Sequence, residues 1–315
     1  MKYRQLGKSG LKVSEISLGS WQTFGGYVDN GVAAQTLRTA YENGVNFFDT
    51  ANVYGRGEAE KLVGSVLREF PRDSYVLATK VAGNMGPGPN DVGLSRKHIM
   101  EQCHASLKRL GVDYIDVYYC HRFDPTTPLD ETLRAFDDLV RQGKILYIGV
   151  SKWTAVQIAQ GLATVERHNL HPIIVNQPLY HMFERNIESE VIPLGEQHGF
   201  GQVVYSPLAQ GLLTGKYRSE QDIAQGSRAS INQAARSSLH KANLARVEGL
   251  AKLADELGHT LAQLALAWTL RSPNISSALI GASRPEQISE NVKASGIQLP
   301  EETVSRIEAI LSTFF

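Results

Sequence analysis

Cysteine is nearly missing from this 315-residue chain: Cys103 and Cys120 are its only two. That is too few for a disulfide framework or a cysteine-built zinc site, and no metal is expected. Net charge is missing as well, with Lys+Arg at 32 and Asp+Glu at 32. A chain without a broad basic face is a poor binder of nucleic acid or anionic membrane, although a local basic pocket for one small anion is still allowed. Long apolar runs are absent too. The greasiest stretch, residues 261–270, falls well short of the about 20 residues needed to span a bilayer. The opening residues Met1-Lys-Tyr-Arg-Gln-Leu-Gly7 lack the apolar region of a signal peptide. These absences lead to the expectation of a cytoplasmic protein with no membrane segment. No composition break or fixed-period repeat marks a boundary, so a single domain over residues 1–315 is expected.

What is present is a globular composition, 42% hydrophobic and 20% charged. Short apolar runs at 15–18, 46–49, 75–79, 115–119, 146–150, 173–176, 202–205 and 278–280 read as strands buried on both faces. Helix-period segments at 32–42, 59–69, 96–110, 129–142 and 154–168 alternate with them, and 249–270 reads as two helices broken near Gly258-His259. This alternation predicts an α/β fold, a (β/α)8 TIM barrel. The rival is a doubly wound sheet with a glycine-rich phosphate turn. Its nearest trace, Gly55-Arg56-Gly57, has Glu60 where a third glycine belongs, and Gly211 to Lys216-Tyr217 is one residue short of a P-loop. The barrel is therefore preferred. Two irregular stretches, 83–93 and 217–238, follow the third and seventh strands and are read as long loops on the functional face.

Polar residues directly after a buried strand project into a barrel mouth. Strand two ends in Asp49 and leads to Tyr54, strand three ends in Lys80, and strand four is followed by His121. Singly, each is an ordinary solvated or packed residue. Together they describe proton delivery. A phenol titrates near 10, and a neighbouring ammonium is expected to acidify it. Asp49 would hold Lys80 charged, and His121 would orient a substrate carbonyl beside Tyr54. A lysine at a strand end also permits Schiff-base chemistry, which an Asp49 ion pair would suppress.

Asp49-Thr-Ala-Asn-Val-Tyr54-Gly55 with Lys80 and His121 resembles the Asp/Tyr/Lys/His tetrad of the aldo-keto reductases. Matching segments follow in order: Gly19-Ser-Trp-Gln-Thr-Phe-Gly-Gly26, Gly149-Val-Ser151, Gln177, Ser206 through Lys216, and Gly281 through Asn291. Gly93-Leu-Ser-Arg-Lys-His-Ile99, Tyr180-His-Met-Phe183 and Ser227-Arg-Ala-Ser230 are similar to the branch related to voltage-gated potassium-channel β subunits.

The resemblance implies an NADPH-dependent barrel enzyme reducing a small carbonyl substrate, with catalytic Asp49, Tyr54, Lys80 and His121. It implies a cofactor cradle in which Tyr205 stacks on the nicotinamide, with Asp49, Ser20, Trp21, Ser151, Lys152 and Gln177 nearby. Ser206, Pro207, Leu208, Gln210 and Lys216 would line the pyrophosphate. Arg228, Gly281, Ser283, Arg284, Gln287, Glu290 and Asn291 would hold the adenosine end. A final helix starting near Pro285 would offer its N-terminus to a phosphate. Trp21, Tyr27 and Phe123 are implied pocket walls beside Tyr54 and His121. Lys152 departs from the Asn common in the family and the Arg of the channel-related branch, whose members tend to carry Asn in place of the tetrad His. The retained His121 favours an enzyme over the alternative, an NADP(H)-holding redox sensor docked on another protein. Oligomeric state is left open.

Overall fold

The computed structural model describes residues 1–313 except 218, 220–222 and 224–227, and leaves the side chains of Arg228 and Ala234 undescribed. A short antiparallel hairpin comes first, β1 (Tyr3–Gln5) with β2 (Lys12–Ser14). Eight parallel strands then close a barrel: β3 (Ile16–Gly19), β4 (Phe47–Asp49), β5 (Val76–Val81), β6 (Ile115–Cys120), β7 (Ile145–Ser151), β8 (Ile173–Gln177), β9 (Gly201–Tyr205) and β10 (Ile275–Ile280). Each pairs with its neighbour in chain order, and β10 returns to β3.

Helices α1 (Asn30–Glu42), α2 (Glu58–Leu67), α3 (Arg96–Leu110), α4 (Leu129–Arg141), α5 (Ala155–His168) and α6 (Val191–His198) each follow one strand from β3 to β8. After β9 come α7 (Arg228–Ile231), α8 (Gln233–Ser237), α9 (Lys241–Glu256) and α10 (Leu261–Thr269), and after β10 come α11 (Pro285–Asn291) and α12 (Glu301–Ser312). Local chemistry explains the starts. Thr154 and Thr260 each close a capping box with the glutamine three residues on. Burial explains the docking: Leu133, Phe136 and Leu139 recur at helical spacing on α4 and are all fully covered.

The expected barrel is the observed one, and all eight strand runs overlap their strands. Three details differ. The polar hairpin was not read as strands, although its Leu6 and Val13 are fully buried in the barrel interior with Phe47, Val76 and Val117. Part of the segment after β9 is helical, in α7 and α8, rather than loop throughout. The helix beginning at Pro285 has seven residues and is not the last, since α12 follows it. Inside the barrel Gly149 has a steric reason: a Cβ there would lie 2.5 Å from the Tyr119 ring. Among the described residues no helix is long and apolar enough to cross a membrane.

Candidate active site

Strand alternation decides what reaches the mouth of the barrel. Phe47, Val76, Ala78, Val117 and Tyr119 fill its interior. The next residue of the same parity is Asp49 on β4, Lys80 on β5 and His121 just past β6. The same rule turns Ser151 after Tyr147, Gln177 after Val175, Tyr205 after Val203 and Gly281 after Leu279 toward the mouth.

Asp49 and Lys80 are 2% and 0% exposed, so their charges must be satisfied internally. Lys80 Nζ donates to Asp49 Oδ1 in an ion pair and to the Thr50 carbonyl at 2.8 Å. Gln177 Nε2 donates to Asp49 Oδ2 at 2.9 Å. Burial pushes the Asp49 carboxyl up and the Lys80 ammonium down, and their mutual attraction opposes both. With its protons committed to Asp49 and Thr50, Lys80 is held as a cation rather than freed as a Schiff-base nucleophile.

Tyr54 opens a tight turn, Tyr54–Gly57, whose next residue Gly55 has φ +55° and packs so closely that a Cβ would lie 2.8 Å from the Gly25 carbonyl. That turn brings Tyr54 Oη to 3.5 Å from His121 Nε2, a loose contact, with the rings edge to face. Lys80 Nζ lies 5.1 Å from the Tyr54 ring centroid. The four expected residues therefore converge.

Their electrostatics differ from expectation. Burial, reinforced by the Asp49 charge, pushes the Tyr54 phenol well above its ordinary value, so Lys80 does not acidify it. The reason is geometric: the ammonium is paired with Asp49, and a paired charge acts on the phenol largely as a dipole. Tyr54 is a firmly protonated donor. Burial, then the charges of Lys80, Lys152 and Arg122, push His121 down to about 2, leaving a neutral imidazole.

The other expected residues fall into place unevenly. Ser151 Oγ donates to the Gln177 carbonyl at 2.9 Å. Lys152, in a left-handed conformation at φ 60°, holds its ammonium 5.4 Å from the Tyr205 ring centroid. Ser206 and Gln210 are also left-handed, Pro207 is buried and Leu208 half-buried, and Gln210 Oε1 is buried without a described partner. Lys216 is exposed at the end of this turn, 4.9 Å from the Tyr217 ring centroid. Ser283 N donates to Gln287 Oε1 at 2.8 Å, Glu290 accepts from Gln263 at 2.9 Å, and Asn291 is buried, with Gly281 and Arg284 exposed. The Arg228 side chain lies outside the described residues. Ser20 is buried and bonds Thr50, whereas Trp21 and Tyr27 are exposed on the loop after β3. Phe123 packs edge-on against Trp153 at 5.1 Å.

Two participants were missed. Tyr119 floors the site, with its ring 5.8 Å from Lys80 Nζ, and the Val117-Tyr119-His121 alternation would have found it. The Tyr205 phenol is pushed up by burial, then by Tyr54 and last by Glu184, which no sequence signal marked. Both cysteines are buried, and burial pushes each thiol up, Cys103 to about 12. They are inert packing residues.

The model of the Aldo/keto reductase family matches residues 15–312. The chain belongs to this family. Aldo/keto reductases are oxidoreductases, and the relatives found here narrow the branch. A "Probable voltage-gated potassium channel subunit beta" of Arabidopsis thaliana is 46% identical over 99% of this chain and 97% of its own length. A protein of the same description from Oryza sativa subsp. japonica is 44% identical over 99% and 97%. A "Putative voltage-gated potassium channel subunit beta" of Schizosaccharomyces pombe is 42% identical over 98% and 93%.

Proposed function

We propose that the protein reduces aldehydes and ketones to alcohols with NADPH, with Tyr54 delivering the proton to the carbonyl oxygen. The observation that carries this reading is the convergence of a protonated, half-buried Tyr54 and a neutral His121 above the buried Asp49–Lys80 pair. Such a site needs no protein nucleophile: it holds a carbonyl oxygen between two neutral donors while the carbon is attacked from elsewhere. A nicotinamide cofactor supplies that attack as hydride when bound. The residues fit such a group. The Tyr205 ring offers a stacking face, and the orphaned Gln210 Oε1 lies in a strained turn that ends in the exposed cation Lys216. Lys216 and Arg284 are suited to cofactor phosphates and favour the 2′-phosphorylated form.

Asp49 and Lys80 then act as positioning charges below the phenol, and Gln177 orients Asp49. In this reading the chain works as one cytoplasmic domain on a small carbonyl compound. The test is aldehyde-dependent loss of NADPH absorbance. Tyr54→Phe is expected to lower kcat by about 10²- to 10⁴-fold with cofactor binding retained. An unchanged rate would remove Tyr54 as the acid.

The names of the relatives favour a second reading, an NADPH-holding subunit that docks on a potassium channel and turns over little. NADPH binding with no turnover across a carbonyl panel, together with capture of a channel, would favour it over the first.

A further inference from the structure

We propose that Arg122 selects the substrate, so that the carbonyl compounds reduced here carry a carboxylate or phosphate that this guanidinium binds. The inference rests on the carbonyl-reductase reading and names its substrate class. Arg122 directly follows His121 and is exposed, with no hydrogen-bond or ion-pair partner among the described residues. It lines a cleft of about 400 Å3 between the end of the 83–93 loop and the loop after β6, with Pro89, Asn90, Gly93 and Phe123 among its walls.

One acid, Asp124, borders the same cleft, but it is already saturated. Its oxygens accept from Leu94 N at 2.7 Å, Thr126 N at 3.0 Å, Thr126 Oγ1 at 2.6 Å and Thr127 Oγ1 at 2.9 Å. The guanidinium is thus left to an outside anion, for which its planar fork is suited.

The cofactor does not account for this charge. The turn suited to the cofactor phosphates follows β9, and the barrel order β6-β7-β8-β9 separates it from Arg122 by two strands. Arg122 instead directly follows His121, and its effect is the smallest among the cations that depress His121, after burial, Lys80 and Lys152; it also depresses Lys152, after burial and Lys80. Lys80, paired with Asp49, Lys152 and Arg122 are the cations whose charges reach His121, and a positive field there raises the local concentration of anions.

The test is NADPH oxidation with matched pairs, 4-oxobutanoate against its methyl ester and glycolaldehyde phosphate against glycolaldehyde. The native protein should show a higher kcat/KM for at least one charged member, and the pair that responds identifies the anion. Arg122→Gln should raise KM for that member about tenfold or more, leave its neutral counterpart unchanged, and be partly rescued by Arg122→Lys. Equal kcat/KM within both pairs, or an equal loss for charged and neutral members in Arg122→Gln, overturns the inference alone. No reduction of any of the four compounds overturns the carbonyl-reductase reading with it.

Discussion

The two ends of the barrel solve the same problem, polar groups beside a buried core, in opposite ways. At the closed end several groups are matched within the protein. Glu15 accepts from Arg4 Nε at 2.8 Å, Ser295 Oγ at 2.9 Å and Gly296 N at 2.9 Å. Asn46 joins Ser14 N and the Lys12 carbonyl, and Asn274 joins Gln202 and the Phe200 carbonyl. The hairpin side chains Leu6 and Val13 plug the space between. At the open end the accounts are left unbalanced. Among the described residues, seven non-glycine residues with positive φ lie in loops that follow strands: Gln22, Arg56, Ala82, Lys152, Ser206, Ala209 and Gln210. The eighth, Asn169, caps α5. Gln22 Oε1 and Gln210 Oε1 are buried without described partners. Backbone strain gathers where ligands bind, whereas unmet hydrogen bonding does not separate the two ends, since Arg72 Nε before β5 and Asn176 Oδ1 beside Gln202 are also buried without described partners.

The largest effect that would sharpen this contrast belongs to Lys80→Met. It strands the Asp49 carboxylate in a site with 2% exposure, and about 3–5 kcal/mol of stability should be lost in denaturant unfolding, along with turnover. A loss no larger than that of an exposed substitution would show that the pair is solvated and that the mouth is not dry. At the other end, Glu15→Gln should cost about 1–3 kcal/mol by the same measurement, because three donors lose a carboxylate. Its kcat should equal that of the native protein. A change in kcat would break the separation between an end that stabilises and an end that reacts.

This separation also explains what could be read from the chain beforehand. Barrel strands announce themselves because both faces are buried, and alternation then carries Phe47 to Asp49, Ala78 to Lys80 and Tyr119 to His121. The convergence of Asp49, Lys80 and His121 was legible for that reason, with Tyr54 in the turn after β4. The hairpin was not, because its three-residue strands are mostly polar and the apolar residues that matter, Leu6 and Val13, lie seven positions from one another. The direction of the Tyr54 shift was not legible either. A sequence shows that Lys80 is near the phenol; only coordinates show that Asp49 has claimed its charge. Arg122 escaped notice for a similar reason, since an exposed arginine becomes informative only once Asp124 is seen to be engaged elsewhere.

The smallest expected effect is the absence of one. Reduction by this site needs Tyr54 protonated and His121 neutral. A group that works protonated loses activity as pH rises through its pKa, and burial with the Asp49 charge has moved that of Tyr54 well above 10. A group that works neutral loses activity as pH falls through its pKa, and burial with the cations Lys80, Lys152 and Arg122 has moved that of His121 down to about 2. Both limbs therefore lie outside the usual range, and kcat/KM for an uncharged aldehyde should be level from about pH 5 to 9. Free histidine would bend that profile near its ordinary 6.5. A bend there that disappears in His121→Asn would mean that water reaches the imidazole, so that the open end is wet and its charges are screened. In that case the cations around His121 could not act on it at the strength this reading requires.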